Sequence, residues 1–370
     1  MKTLWTLLGV LLVSASAHAN SLGYDFRGDW QSIDYNDKAG LPDYTRFYLK
    51  TGRLYFKGNV NDRFSYDLRW GFYKPAVDTV STTSGAPSNS RRDGLNSSVE
   101  YANITDKMSD MFALTVGKFN TEIGGFEGAT SGADLYMVSP SYGHSAVTTL
   151  DGKNYGINES GTRNLLYMSG AKGDLSFGDQ HLYILAVNNI SDSLEGTAFN
   201  QNRGMTGLIW KGGFIDKTLT GLLSYHTVNP QNGNKDDNHQ FISAGVKYED
   251  ATWVGSLEYN TTTYKDGASG NKDSVYSAIA KFGYKMESWI PRLEVFTSEE
   301  KTETLATNGT NKFMGYGAIL EYKPTPENVR YHLAINSITS KPFATATRTD
   351  DDQTRMEIVL GARLYGDFLK

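Results

Sequence analysis

Met356-Glu357-Ile358-Val359-Leu360-Gly361-Ala362-Arg363-Leu364-Tyr365-Gly366-Asp367-Phe368 is the stretch whose reading decides the fold. Its even positions, from Met356 through Ile358, Leu360, Ala362, Leu364 and Gly366 to Phe368, are apolar or small. The odd positions, starting with Arg355 just before it, carry Glu357, Arg363 and Asp367 among Val359, Gly361 and Tyr365. A β-strand turns successive side chains to opposite faces. The segment is therefore a strand with one greasy face and one largely polar face. That is the demand on a strand with lipid on one side and water on the other. A bilayer tolerates no open sheet edge, so the rest of the chain has to supply enough partners to close a barrel.

It does so by pattern. Period-two runs separated by breaks occur at 23–33, 46–58 and 64–72. In the first, Tyr24, Phe26, Gly28 and Trp30 share a side. In the second, Leu54 and Phe56 oppose Arg53, Tyr55 and Lys57. In the third, Phe64, Tyr66, Leu68, Trp70 and Phe72 alternate with Ser65, Asp67, Arg69 and Gly71. Further runs lie at 95–104, 111–119, 163–171, 180–189, 202–211, 217–228, 239–248, 252–263, 274–284, 289–298, 311–322, 329–339 and 354–368. The pattern thus predicts sixteen strands.

Breaks alternate short and long. The short ones include Asn61-Asp62, Thr105 to Asp110, Lys172-Gly173 and Gly212-Gly213. The long ones are 34–45, 74–94, 120–162, 190–201, 229–238, 264–273, 299–310 and 340–353. Short turns on one side and long loops on the other describe an up-and-down transmembrane β-barrel. A soluble sandwich shares the alternation of side chains but has no cause to alternate loop length. Aromatics at run ends, such as Trp70, Trp253, Tyr284, Tyr322 and Phe368, fit the girdles that flank a lipid-facing band.

Composition agrees. The chain has 370 residues, no cysteine, 23 Tyr and 38 Gly. Its mean hydropathy is −0.44, low for a membrane protein built of helices but natural where only alternate residues meet lipid. Without cysteine there are no disulfides and no thiolate metal site. Lys2, the apolar run Leu4 to Val13 and Ala17-His18-Ala19 read as a secretory signal. Residues 1–19 are then a cleaved signal peptide, and 20–370 are one barrel domain.

Strand number sets interior width, and sixteen strands enclose a water-filled channel rather than a packed core. The inward parity carries nine basic and six acidic side chains among those read, for a chain of net charge −5. The break at 120–162 is the longest, and long ordered loops are usually functional. Folded inward as a constriction loop, it would bring Glu122, Glu127 and Asp134 into the lumen. Arg53, Lys57 and Arg69 on the second and third strands, with Arg355 and Arg363 on the last, would form the facing basic strip. Opposed charges across a narrow passage produce a transverse field.

The stretches Arg53-Leu54-Tyr55-Phe56-Lys57-Gly58, Phe64-Ser65-Tyr66-Asp67-Leu68-Arg69 and Val116-Gly117-Lys118-Phe119 are similar to the phosphate- and polyphosphate-selective porin family. That similarity covers about the first third. A general resemblance to Gram-negative trimeric porins covers the whole chain after the signal. It implies a homotrimer in the outer membrane, contact with lipid and lipopolysaccharide, an inward third loop, and passive diffusion of ions and small hydrophilic solutes. The phosphate-specific members use rows of arginine and a lysine cluster. A full ladder is not found here, and the mixed Arg/Glu wall reads as a general pore, with an anion-, phosphate- or sugar-selective channel as the alternative.

Enzyme chemistry fits poorly. A serine hydrolase needs a histidine in reach of its nucleophile, and adjacent residues such as His144-Ser145 face opposite ways on an extended chain. Asp236-Asp237-Asn238-His239 and Asp350-Asp351-Asp352 have the residue types of a rim protease but sit at loop tips, where acids are ordinarily solvated. No histidine spacing suits a metal. Neither a catalytic residue, a cofactor nor a nucleic-acid partner is expected.

Overall fold

The computed structural model describes residues 21–36, 43–73, 96–142, 165–188, 204–228, 238–265, 269–303, 308–325, 328–341 and 352–369. They form a closed antiparallel barrel of sixteen strands in which each strand pairs with its sequence neighbours and the last returns to the first. The strands are β1 Ser21–Tyr35, β2 Tyr44–Asn59, β3 Phe64–Tyr73, β4 Asn96–Lys107, β5 Phe112–Asn120, β6 Tyr167–Phe177, β7 Gln180–Asn188 and β8 Gly204–Phe214. They continue with β9 Leu219–Val228, β10 Asn238–Glu249, β11 Trp253–Lys265, β12 Lys272–Tyr284, β13 Trp289–Glu303, β14 Asn308–Thr325, β15 Val329–Lys341 and β16 Gln353–Asp367. All are long enough to cross a tilted path through hydrocarbon.

The deciding segment is β16, and it closes the barrel. Its register with β1 runs from Gly23↔Asp367 to Tyr35↔Arg355. The seam is clasped at its end, where Asp367 accepts Ser21 Oγ at 2.5 Å and the Leu22 N–H at 3.2 Å. Phe368 packs on Tyr24 with ring centroids 4.5 Å apart. Parity behaves as the sequence predicts. Met356, Ile358, Leu360 and Leu364 are exposed on the outer face, while Glu357 and Val359 are buried inside. The same split runs round the barrel, where Ile184, Leu208, Leu257, Leu293 and Leu333 face outward. Aromatics gather at the short-turn ends. Trp253 meets Tyr284 at 4.3 Å and Trp289 meets Tyr322 at 4.5 Å, as a girdle at a membrane interface requires.

Three local departures matter. The turn after β6 falls at Gly178-Asp179 instead of Lys172-Gly173, because Gly178 supplies the left-handed φ of +63° that the tight turn needs. Lys172 and Gly173 therefore lie inside β6. In β2 the register with β1 shifts between Arg27↔Thr51 and Gly28↔Leu49, leaving Lys50 as the extra residue of a bulge. In β4 the register with β3 shifts between Arg69↔Tyr101 and Trp70↔Val99, leaving Glu100 as the extra residue.

Candidate pore constriction

The segment after β5 is built to turn sharply. Glu122, Gly124 and Gly125 all have positive φ, at 57°, 81° and 65°. The Glu122 N–H donates to Asn120 Oδ1 at 2.8 Å and steadies the first bend. A five-residue helix α1, Gly125–Ala129, follows, then a 3₁₀ turn at Gly132–Asp134 and irregular chain that bends at 136–137 and turns at 140–142.

Apolar contacts hold the segment first. Ile123, Leu135, Tyr142, Leu165 and Leu166 bury against Leu185, Val187, Met205, Ile209 and Phe241 from β7, β8 and β10. Met137 packs with Ile279, Phe296 and Phe313 from β12, β13 and β14. A water-filled barrel has no use for apolar side chains on its inner wall unless something covers them. Burying each contributes about 1.5–3 kcal/mol, so this packing is the bulk of the attachment.

Polar contacts then fix its course. Near its start, Glu122 forms ion pairs with Lys172 of β6, at 3.5 Å, and with Lys211 of β8. His226 of β9 bonds the Thr121 carbonyl at 3.1 Å. At helix α1, Glu258 of β11 accepts the Glu127 N–H at 3.0 Å. At the 3₁₀ turn, Arg53 Nη1 donates to Ser131 Oγ at 2.9 Å and Arg27 Nη1 to the Ala133 carbonyl at 2.9 Å. Asp134 accepts from Arg330 of β15 at 2.5 Å and from Arg363 of β16 at 2.6 Å. Beyond it, Tyr136 donates its hydroxyl to Glu321 of β14 at 2.9 Å. The Ser141 N–H donates to Ser277 of β12 at 3.2 Å.

The arginine side of this network is dense. Arg363 also binds Asp25 through Nε at 2.7 Å and Nη2 at 2.9 Å. Arg27 pairs with Asp29 at 2.8 Å, and His332 reaches the same carboxylate at 3.0 Å. Glu321, fully buried, pairs with Arg292 at 3.0 Å and Arg330 at 3.3 Å. The four arginines Arg27, Arg292, Arg330 and Arg363 thus meet four carboxylates, Asp25, Asp29, Asp134 and Glu321. Charge-assisted bonds of this kind are short and strong.

The wall of β2, β3 and β4 is different. Arg53 Nε and Arg69 Nε both pair with Glu100 Oε2, at 2.9 and 2.6 Å. The bulge turns Glu100 inward beside Tyr101, and the Arg69 guanidinium lies 3.6 Å from the Tyr101 ring centroid. Tyr167 lies on its other flank at 4.9 Å. Two cations share one carboxylate, and Arg69 Nη2 is buried without a hydrogen-bond partner among the described residues.

The electrostatics of the three loop acids diverge. Burial works against charge at Asp134, but Arg363 and Arg330 outweigh it and hold the carboxyl below the usual range. Burial is likewise overcome at Glu122 by Lys211 and Lys172, which lower it. At Glu127 burial wins and the carboxyl is pushed up, although Lys281 and Ser139 oppose it.

The sequence-predicted residues are thus partly brought together. Among the strip residues Arg363 touches a loop acid and Arg53 a loop serine. Arg69 sits one step behind Arg53, on the shared Glu100. Lys57 lies near the β2–β3 turn, half exposed and paired with Asp67 at 3.2 Å. Arg355 pairs with Glu357 at 3.2 Å, away from the loop acids. Glu127 does not offer a carboxylate to open water; it is 2% exposed and its oxygens accept the Ser139 N–H at 2.9 Å and hydroxyl at 2.5 Å. Glu122 meets two lysines that the sequence reading left out: it placed Lys172 in a turn, and Lys211, at the end of the 202–211 run, was not counted on the inner wall. Asp25, Arg27 and Asp29 were also missed, though they occupy the opposite parity to Tyr24, Phe26 and Gly28 and could have been found from that alone. His144-Ser145, Asp236-Asp237 and Asp350-Asp351 lie outside the described residues, as does the far half of the 120–162 segment. Among the described residues no group of three or more His, Asp or Glu could hold a metal.

No curated protein sequence matches the chain. Solved structures do, at low identity, and show the fold. The outer-membrane channel DcaP of Acinetobacter baumannii is 14% identical with a TM-score of 0.61, covering 94% of this chain and 98% of that one. An anion-selective porin from Comamonas acidovorans is 10% identical with a TM-score of 0.60, covering 93% and 98%. The outer-membrane protein OmpT of Vibrio cholerae, in its trimer form, is 11% identical with a TM-score of 0.58, covering 93% and 99%. Residues 21–347 match the family described as phosphate-selective porin O and P, more than half of the chain, and the protein therefore belongs to that family of outer-membrane porin channels.

Proposed function

We propose that the protein conducts ions and small hydrophilic solutes passively, with anions favoured, past the inward loop as its narrowest point. The observation that carries this is the charge imbalance on β2 to β4: Arg53 and Arg69 share Glu100, and Arg69 Nη2 is left without a partner. Lys50 adds an exposed cation at the β2 bulge, with no ion-pair partner among the described residues. Unbalanced charge on a pore wall sets the sign of the field a permeating ion meets. On β13 to β16 and β1 four arginines are matched by four carboxylates, so this group positions the loop more than it selects. Family membership favours an anion preference, and a channel specific for phosphate is the finer form of the same reading.

Residues 1–19 act as the export signal in this account. The Vibrio porin, solved in a trimer form, supports a homotrimer, which we place among lipid and lipopolysaccharide; the Comamonas porin, described as anion-selective, supports the anion preference. The test is the reversal potential of purified protein in a planar bilayer under a potassium chloride gradient. Anion preference is expected, and charge reversal at Arg53 and Arg69 together should move it toward cations. A wild-type preference for cations, or no movement in the double variant, refutes the assignment.

A further inference from the structure

The helix α1 contact differs from every other attachment of the loop in having too much negative charge. Glu258 is 6% exposed, Glu127 2% and Glu294 2%. The single cation among them is Lys281, whose Nζ lies 3.6 Å from Glu294 Oε2. That oxygen has no hydrogen-bond partner among the described residues. Among the described residues Glu258 accepts only the Glu127 N–H and Asn260 Nδ2, at 3.0 Å each. Other titratable groups near the start of the loop are His226, on the Thr121 carbonyl, and Glu122, already matched by Lys172 and Lys211. No second cation reaches the cluster among the described residues, and no metal site is formed there.

Three buried carboxylates beside one ammonium cannot all be ionised cheaply, since like charges at close range and lost solvation both favour the neutral acid. Geometry makes the contact demanding as well. A Cβ on Gly125 would fall 2.1 Å from Glu258 Oε1, and one on Gly245 would fall 2.9 Å from the Phe126 ring. The wall and the loop have been shaped to let this carboxyl group approach the helix backbone.

We propose that Glu258 is a positioning residue that seats the constriction loop, and that the Glu127–Glu258 pair keeps a proton at neutral pH to do so. The seat then loosens as pH rises. Burial pushes Glu127 up, and the sign follows: a folded site that holds a proton more tightly than the released loop contributes seating free energy at low pH and loses it as pH rises through its raised value. The proposal rests on the loop lining the channel, so one readout is independent of conduction.

The experiment is infrared difference spectroscopy of the purified full-length protein, recorded between acid and alkaline pH, with single-channel recording alongside. The expected result is a protonated carboxylic acid carbonyl band still present at pH 7, removed by alkali, and lost in Glu258→Gln or Glu127→Gln. Between neutral and alkaline pH, open-channel noise should rise in the wild type and stay flat in Glu258→Gln, whose neutral amide oxygen still accepts the Glu127 N–H. Absence of the band in the wild type at pH 7, its survival in both variants, or wild-type noise indifferent to pH overturns the proposal. If the protein conducts nothing, the functional reading fails, while the infrared result still decides whether the proton is there.

Discussion

The two ends of the loop's grip on the barrel are held by opposite chemistry. At the 3₁₀ turn, Asp134 is clamped between Arg330 and Arg363, and the surrounding arginines and acids balance. At helix α1, Glu127 and Glu258 meet with Glu294 behind them and one lysine to share. The first end is an ion-pair lock and the second is a packing contact that tolerates little charge. One consequence is opposed pH dependence. The lowered carboxyls of Asp134 and Glu122 contribute seating above the ordinary carboxylate range and lose it as pH falls through their depressed values. The raised Glu127 does the reverse. The loop should therefore sit tightest between the two limits and loosen at either extreme, through different carboxyls each time.

The sharpest way to break the comparison is Gly125→Ala. A left-handed φ of 65° disfavours any side chain, and the added Cβ has no room against Glu258. The helix end should leave the wall and single-channel conductance should rise, while the barrel still folds, as judged by heat-modifiability on a gel. Asp134→Asn should do less. Removing one partner of a buried pair costs about 3–5 kcal/mol, but Asp134 is nearly a third exposed, so about 1–2 kcal/mol is a fairer scale. Arg363 keeps Asp25 and Arg330 keeps Glu321. Reversal potential should move toward anions, because the variant frees positive charge without displacing helix α1. Lys57→Glu is the smallest expected effect. Its ammonium is half exposed at the β2–β3 turn and touches no loop residue described, so selectivity measured in the same gradient should stay within error of the wild type.

How much of this was legible in the sequence follows from what period-two patterning can carry. It reports which face a residue takes, so β16, the sixteen strands and the lipid-facing positions were all readable. It does not report partners. The turn after β6 was misplaced because Lys172-Gly173 resembles a turn locally, whereas Lys172 lies within the strand and pairs with Glu122, fifty residues earlier in the chain. The loop acids were expected to face a basic strip; Asp134 meets one member of it, Arg363, but Glu122 pairs with Lys172 and Lys211, and Glu127 is satisfied within the loop by Ser139. The inward apolar patch formed by Leu185, Val187, Met205, Ile209 and Phe241 looks wrong for a watery pore until the covering loop is in place. Alternation alone could not anticipate it.

Conduction is the claim on which the rest stands, and planar bilayer recording of the purified protein tests it most directly. Stepwise increases in current are expected, grouped in threes if the trimer inserts as a unit. A bilayer that stays silent while the same preparation is folded and heat-modifiable would contradict the account.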